Sequence, residues 1–231
     1  MKIRPHREIL PPAQCLLWND LRLITKMGFT LYGGTAIALR LGHRQSVDFD
    51  FFSVQRIDHN AIYHLFPRLQ HAETLQSTQD TLTVLVPIEE VQQSVKLSFF
   101  GELCFGRVGK PEYTDDGTLL LASLQDLMAS KLKVILQRIE AKDYRDIAAM
   151  IHAGCSLAQG LVSARLLYGS SFSALEALKA LVYFEEGDLH TLTTAEKDTL
   201  VQAARNIREL TNLPFSASTL SLNDHSESLE P

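Results

Sequence analysis

From Pro12 to about Lys26 the residues Leu16, Leu17, Leu21, Leu23 and Ile24 recur at roughly helical spacing, and Pro11-Pro12 suits a helix start. Gly28 marks the end of that helix. Phe29 to Tyr32 predicts a short apolar strand, Gly33-Gly34 a tight turn, and Thr35 to Leu41 a helix closed by Gly42. Val47 to Phe52 then predicts a second strand, apolar except at Asp48 and Asp50. Asp58 predicts the cap of a helix to about Leu65. Glu73 to Gln79 and Thr81 to Val86 alternate as a hairpin would around Gln79-Asp80, and Val91 to Phe100 predicts a further strand.

Past residue 122 the pattern turns helical. Ser123-Leu124-Gln125-Asp126 has the shape of a capping box, with Asp126 where Glu is usual. It leads a helix carrying Leu127, Met128, Leu132, Ile135 and Leu136 on one side. Helices follow over Lys142 to Ala153, Ser156 to Tyr168, Ala174 to Phe184 and Ala195 to Leu210, with Gly154 as a stop and Ser156, Ser173 and Thr194 as caps. The tail from Ser216 is polar and aperiodic, which predicts disorder. The reading is an α+β chain: a mixed α/β region over 1–122, a helical region over 123–212 that closes a cleft, and a flexible polar tail over 213–231.

Composition narrows the class of protein. With 231 residues, 45% apolar and 21% charged, the chain has ordinary globular values. The net charge of -5 argues against a surface that coats nucleic acid generally, although Asp224, Glu227 and Glu230 in the tail account for part of it. Cys15, Cys104 and Cys155 are odd in number and in no metal-binding spacing, so they read as reduced thiols of a cytoplasmic protein. No run approaches the ~18 apolar residues of a membrane span. Trp18 reads as a packing residue.

Asp48 and Asp50 carry the chemistry. Alternate residues of a strand share a face, so these carboxylates project together while Phe49 and Phe51 enter the opposite layer. Two like charges in an apolar strand are costly unless a cation lies between them, and a divalent metal suits that role. A Gly-Gly turn at a strand-to-helix junction lets backbone N–H groups approach phosphate with no Cβ in the way. Together these features can hold a triphosphate and Mg²⁺, which takes one or two carboxylates plus phosphate oxygens.

The string Leu31-Tyr32-Gly33-Gly34, a spacer over Thr35 to Ser46, then Val47-Asp48-Phe49-Asp50-Phe51 resembles the signature of the polymerase-β-type nucleotidyltransferase superfamily. More narrowly, Gly33 to Leu39 with Gly42-His43-Arg44-Gln45-Ser46-Val47-Asp48-Phe49-Asp50 resembles the AbiEii/AbiGii nucleotidyltransferase toxins. Asp126 to Lys133, Arg138 and Lys142-Asp143-Tyr144-Arg145-Asp146 are similar to the helix pair that follows the catalytic sheet there. The resemblance covers roughly residues 20–155. It implies a polymerase-β-like mixed sheet with flanking helices and a C-terminal helical region, and Mg²⁺-dependent transfer of a nucleoside monophosphate from an NTP to an acceptor hydroxyl. RNA or tRNA ends as acceptor, and a cognate antitoxin, are further implications. On this reading Asp48 and Asp50 hold metal, and Asp48, Asp50 and Lys131 are catalytic. Gly33, Gly34, Thr35, Arg44, Ser46 and Lys131 bind nucleotide, with Asp143 and Asp146 bracing or completing the site.

Alternatives stay open at this stage. The superfamily commonly adds a third carboxylate from a later strand. In Val95-Lys96-Leu97-Ser98-Phe99-Phe100, Ser98 stands where it is expected, and Glu102 lies four residues on. A catalytically degenerate nucleotide-binding relative is therefore one rival, and a small-molecule or protein acceptor another. An electropositive wall of Lys131, Lys133, Arg138 and Arg145 would favour RNA. Asp143 and Asp146, three apart on one helix, equally suit an exposed ion-pair stripe with Lys142 and Arg145.

Overall fold

The computed structural model describes residues 2–207 together with Ala217 and Leu220. Among these, eight strands form one mixed sheet: β1 (Lys2–Ile3), β2 (Thr30–Tyr32), β3 (Asp48–Phe52), β4 (Glu73–Ser77), β5 (Thr81–Ile88), β6 (Gln93–Phe100), β7 (Glu112–Thr114) and β8 (Leu120–Leu121). Their order is β1-β7-β8-β2-β3-β6-β5-β4. β3 lies between antiparallel β2 and parallel β6, with Asp50 opposite Tyr32 on one side and Ser98 on the other. The α+β expectation is met.

Strand alternation divides the sheet into two faces. Phe49, Phe51, Leu97, Phe99, Leu82 and Val84 are fully buried on one, each contributing about 1.5–3 kcal/mol on burial. The other face carries Asp48, Asp50 and Phe52 beside Lys96, Ser98 and Phe100. β5 continues that face with half-exposed Thr81 and Thr83, opposite Phe100 and Ser98.

The helices are α1 (Pro12–Leu17), α2 (Leu21–Lys26), α3 (Gly33–Leu41), α4 (His59–Leu65), α5 (Leu124–Val134), α6 (Ala141–His152), α7 (Leu157–Tyr168), α8 (Ala174–Leu181) and α9 (Thr194–Arg205). Asp58 caps α4, Ser156 caps α7 and Ser173 caps α8, as the sequence predicts. α5 and α7 pack closely because Gly160 has no Cβ, which would come within 2.4 Å of Met128 Cγ. One hydrophobic cluster runs through strands and helices alike, and Leu220 joins it.

Several local expectations are corrected. The single helix over residues 12–26 is two, divided at Trp18, whose buried ring turns the chain as its Nε1 donates to Asp116 Oδ2 at 2.7 Å. Gly33-Gly34 is the opening of α3 and no separate turn; Gly33 adopts φ +71°, which only glycine takes without strain. Ser123 caps α5, but Asp126 does not return the capping bond. Its carboxylate instead accepts from Val108 N (2.7 Å) and Gly109 N (3.1 Å), fastening that loop to the helix. α8 stops at Leu181, and the chain beyond supplies Asp188, whose Oδ1 accepts from Ala141 N at 2.6 Å at the start of α6. α9 is capped by Thr193, one residue early, because Glu196 completes a capping box with it. Residues 208–210 of the last predicted helix lie outside the described residues. So does the predicted tail, apart from buried Leu220 and Ala217, which bridges to Arg107.

Candidate active site

Tyr32 ends β2 beside Asp50, so α3 begins directly over the carboxylate strand. The approach is close at both glycines, and at Gly33 the positive φ favours glycine as well. A Cβ on Gly33 would lie 2.4 Å from Asp50 Oδ2, and one on Gly34 2.4 Å from Arg44 Nη2 and 3.3 Å from Ser46 Oγ. The Gly-Gly segment is thus framed by an acid on one side and a guanidinium on the other. Thr35 is turned inward: its hydroxyl donates to the Asp48 carbonyl and hydrogen-bonds with the Ser46 hydroxyl at 2.8 Å, tying the helix to the loop before β3.

Behind this segment lies a buried charge network. Lys131 of α5, 5% exposed, places Nζ 2.6 Å from Asp143 Oδ1 and 2.6 Å from Asp146 Oδ2, both on α6 and both fully buried. Asp146 also accepts from Arg44 through Nε (2.7 Å) and Nη2 (2.8 Å), and its Oδ1 lies 2.8 Å from His43 Nε2. Asp143 accepts from Arg138 Nε at 2.9 Å. Burial pushes the Asp146 carboxyl up, but His43, Lys131 and Arg44 outweigh it and hold it well below the carboxylate range. Asp143 follows the same logic: burial raises it, and Arg138 and Lys131 lower it further.

The exposed-stripe reading of Asp143 and Asp146 is therefore overturned. Their partners are Lys131, Arg138, Arg44 and His43, whereas Lys142 pairs with Glu140 and Arg145 with Glu196. Lys131, Arg44 and Arg138 set three cations against two carboxylates, leaving one positive charge in excess, and Lys131 acts electrostatically on Asp50. The candidates for an electropositive wall, Lys131, Lys133, Arg138 and Arg145, are each drawn to partners within the fold. Lys133 donates to the Ser171 carbonyl and Arg145 Nη2 to Thr191 (2.8 Å to its carbonyl), while the other two turn to Asp143.

On the sheet, burial and then the Asp48 charge push the Asp50 carboxyl up, opposed by Lys96, Lys131 and a hydrogen bond from Ser98. Ser98 lies directly opposite Asp50 in the parallel ladder. Lys96, which sequence reasoning missed as a site residue, places Nζ 2.9 Å from Asp48 Oδ2. Its signal was the alternation Lys96-Ser98-Phe100, once β6 is paired with β3. Glu102 is exposed, with positive φ, beyond the end of β6. Among the described residues no group of three or more His, Cys, Asp or Glu side chains gathers to hold a metal. Two oxygen-donor carboxylates, one pushed up by burial and by the charge of the other, fit a divalent ion that brings phosphate oxygens as its remaining ligands.

Sheet order, glycine-framed helix start and carboxylate strand define an α+β nucleotidyltransferase. The profile of the nucleotidyl transferase AbiEii toxins, of type IV toxin–antitoxin systems, matches residues 22–214, and the chain belongs to that family. Membership makes it an enzyme of nucleotidyl transfer with a nucleotide substrate and a cognate antitoxin. The uncharacterized protein aq_aa25 of Aquifex aeolicus (strain VF5) is 32% identical over 162 residues, 68% of this chain and 74% of that one. Among solved structures, a proposed nucleotidyltransferase from H. pylori shares the fold at TM-score 0.55 and 17% identity, over 84% of this chain and 90% of that one. MenT4, a nucleotidyltransferase toxin of Mycobacterium tuberculosis H37Rv, aligns at TM-score 0.53 and 12% identity over 85% and 84%. Among the described residues no helix is long and apolar enough to cross a membrane.

Proposed function

We propose that the protein transfers a nucleoside monophosphate from an NTP to a hydroxyl of RNA, with tRNA ends as the class of acceptor, and that it does so as a toxin. The observation that carries the reading is the Gly33-Gly34 start of α3 set directly against Asp50 and Arg44, with Lys131 acting electrostatically on Asp50. Gly33 and Gly34, which carry no Cβ of their own, would offer backbone N–H groups at the start of α3 to the triphosphate. Arg44 contributes the guanidinium beside Gly34, while Thr35 and Ser46 fix the loop that carries it. Asp48 and Asp50 would hold Mg²⁺, which when bound neutralises triphosphate charge and polarises the phosphorus under attack. Lys131, held between Asp143 and Asp146, offsets negative charge developing on the phosphates. RNA as acceptor rests on the family alone.

Ser98 opposite Asp50 and Lys96 on Asp48 favour one rival, a nucleotide-binding relative without turnover. Incubation with each labelled NTP, Mg²⁺ and total RNA separates the two. Label on RNA that disappears in Asp48→Ala and in Asp50→Ala supports transfer. Tight Mg²⁺-NTP binding with no label on any RNA, protein or small acceptor would establish the rival.

A further inference from the structure

Aromatic rings continue the carboxylate face of the sheet beyond the acids. Phe52 follows Asp50 by one pleat repeat, about 7 Å along β3, and pairs with Phe100 as Asp50 pairs with Ser98. Phe52 is stacked on Tyr32, with ring centroids 4.6 Å apart and planes 12° from parallel. Phe100 meets Phe52 edge-on at 5.2 Å and 78°, and Phe105 meets it at 6.3 Å and 71°. Phe52 and Phe105 pack on the core. Phe100 is half-exposed, and its cross-strand neighbour on the side away from Phe52 is the small, half-exposed Thr81. The core leaves part of this ring to solvent.

We propose that Phe100, held by its edge contact with Phe52, is the stacking platform for the base of the nucleotide substrate. The inference rests on the triphosphate cradle proposed above. With phosphates at Gly33-Gly34 and the α-phosphate at Asp48 and Asp50, the base lies one ribose further on. The pleat repeat from Asp50 to the aromatic pair is a comparable span. Every base offers a π face to an aromatic ring, so the platform accepts purines and pyrimidines alike and selects against ligands that carry phosphate without a base. The ring acts by positioning: it fixes the nucleoside end while the carboxylates and Lys131 act at phosphorus.

The test measures equilibrium binding of Mg²⁺-ATP, Mg²⁺-CTP and inorganic tripolyphosphate to the wild type and to Phe100→Ala, Phe100→Leu and Phe100→Trp. The Leu variant keeps apolar volume without a ring, which guards against a merely unfolded Ala variant. Both nucleotides are expected to weaken about tenfold or more in the Ala and Leu variants, within the range a stacked base contributes. Tripolyphosphate affinity stays unchanged, and Phe100→Trp recovers nucleotide binding. Unchanged nucleotide affinity without the ring overturns the platform, as does an equal loss of tripolyphosphate or no recovery with Trp. Wild-type protein that binds tripolyphosphate as tightly as NTP retains the cradle and refutes the platform. Protein that binds neither refutes the cradle, and the platform with it.

Discussion

Replacing Asp146 by Asn removes one negative charge from the middle of the buried network with almost no change of shape. Asp146 is fully buried and receives Lys131 at 2.6 Å, Arg44 at 2.7 and 2.8 Å, and His43 at 2.8 Å. After the change, Lys131, Arg44 and Arg138 face Asp143 alone, and Arg44 has lost its carboxylate. Breaking a buried pair by removing one partner costs about 3–5 kcal/mol, a large share of the roughly 5–15 kcal/mol that holds a typical domain together. In a chain of this size that is a fall in Tm of about 6–20 °C, at ~2–4 °C per kcal/mol. Lys131→Met is the informative contrast. It leaves Asp143 with Arg138 and Asp146 with Arg44 and His43, so each carboxylate keeps an arginine. Its expected stability loss is therefore the smaller, while its loss of transfer activity is complete. Urea melts followed by circular dichroism order the two variants, and a double-mutant cycle gives their coupling, of about 0.5–3 kcal/mol. Asp146→Asn costing less than Lys131→Met would refute the charge accounting on which the site rests.

Other perturbations isolate single features. Gly34→Ala places a Cβ 2.4 Å from Arg44 Nη2 without any positive-φ strain, so calorimetry should show impaired triphosphate binding with only a small loss of stability. Gly33→Ala adds a left-handed backbone penalty of about 1–2 kcal/mol and crowds Asp50, so it should lower both. Ser98→Asp sets a third acid opposite Asp50; the variant should be less stable without metal and bind Mn²⁺ more tightly, which electron paramagnetic resonance titration measures. Asp116 tests the fold away from the site. Burial raises its carboxyl, but hydrogen bonds from Thr114, Trp18 and Thr118 outweigh this and bring it from 3.8 to about 2. Because the folded pKa is the lower one, its contribution is present above about pH 4 and is lost as pH falls through about 2. Its exposure reduces the effect to about 1 kcal/mol. The wild type should therefore lose more stability than Asp116→Asn between pH 5 and pH 2.5 in urea melts.

What could be read in the sequence depended on the range of the interaction. Asp58, Ser156 and Ser173 cap helices as predicted because each acts on an N–H three residues away. Asp126 looked purely local, yet besides accepting from the Ser123 hydroxyl it bonds the loop at Val108 and Gly109, 18 and 17 residues away. At Trp18 a good helical period is interrupted, and its indole bonds Asp116, 98 residues away, a partner no local pattern could supply. Alternation showed that Asp48 and Asp50 share a face, but the identity of their neighbours needed the β3–β6 register, which placed Lys96 and Ser98 there. Asp143 and Asp146 were the hardest to read. Their spacing is the same whether the face is wet or buried, and only the packing of α5 and α3 against α6 decides it.

That packing also bears on why the helical region follows the sheet in the chain. Arg44 belongs to the loop between α3 and β3, Lys131 to α5, and Asp143 and Asp146 to α6, yet they form one buried network. A buried lysine is expensive unless paired, so burying Lys131 depends on Asp143 and Asp146 of α6. Arg44 likewise takes its bidentate partner from α6. The placement of Lys131 and the fixing of the guanidinium beside Gly34 therefore both depend on helix docking, so the candidate site forms only when sheet and helices have folded together.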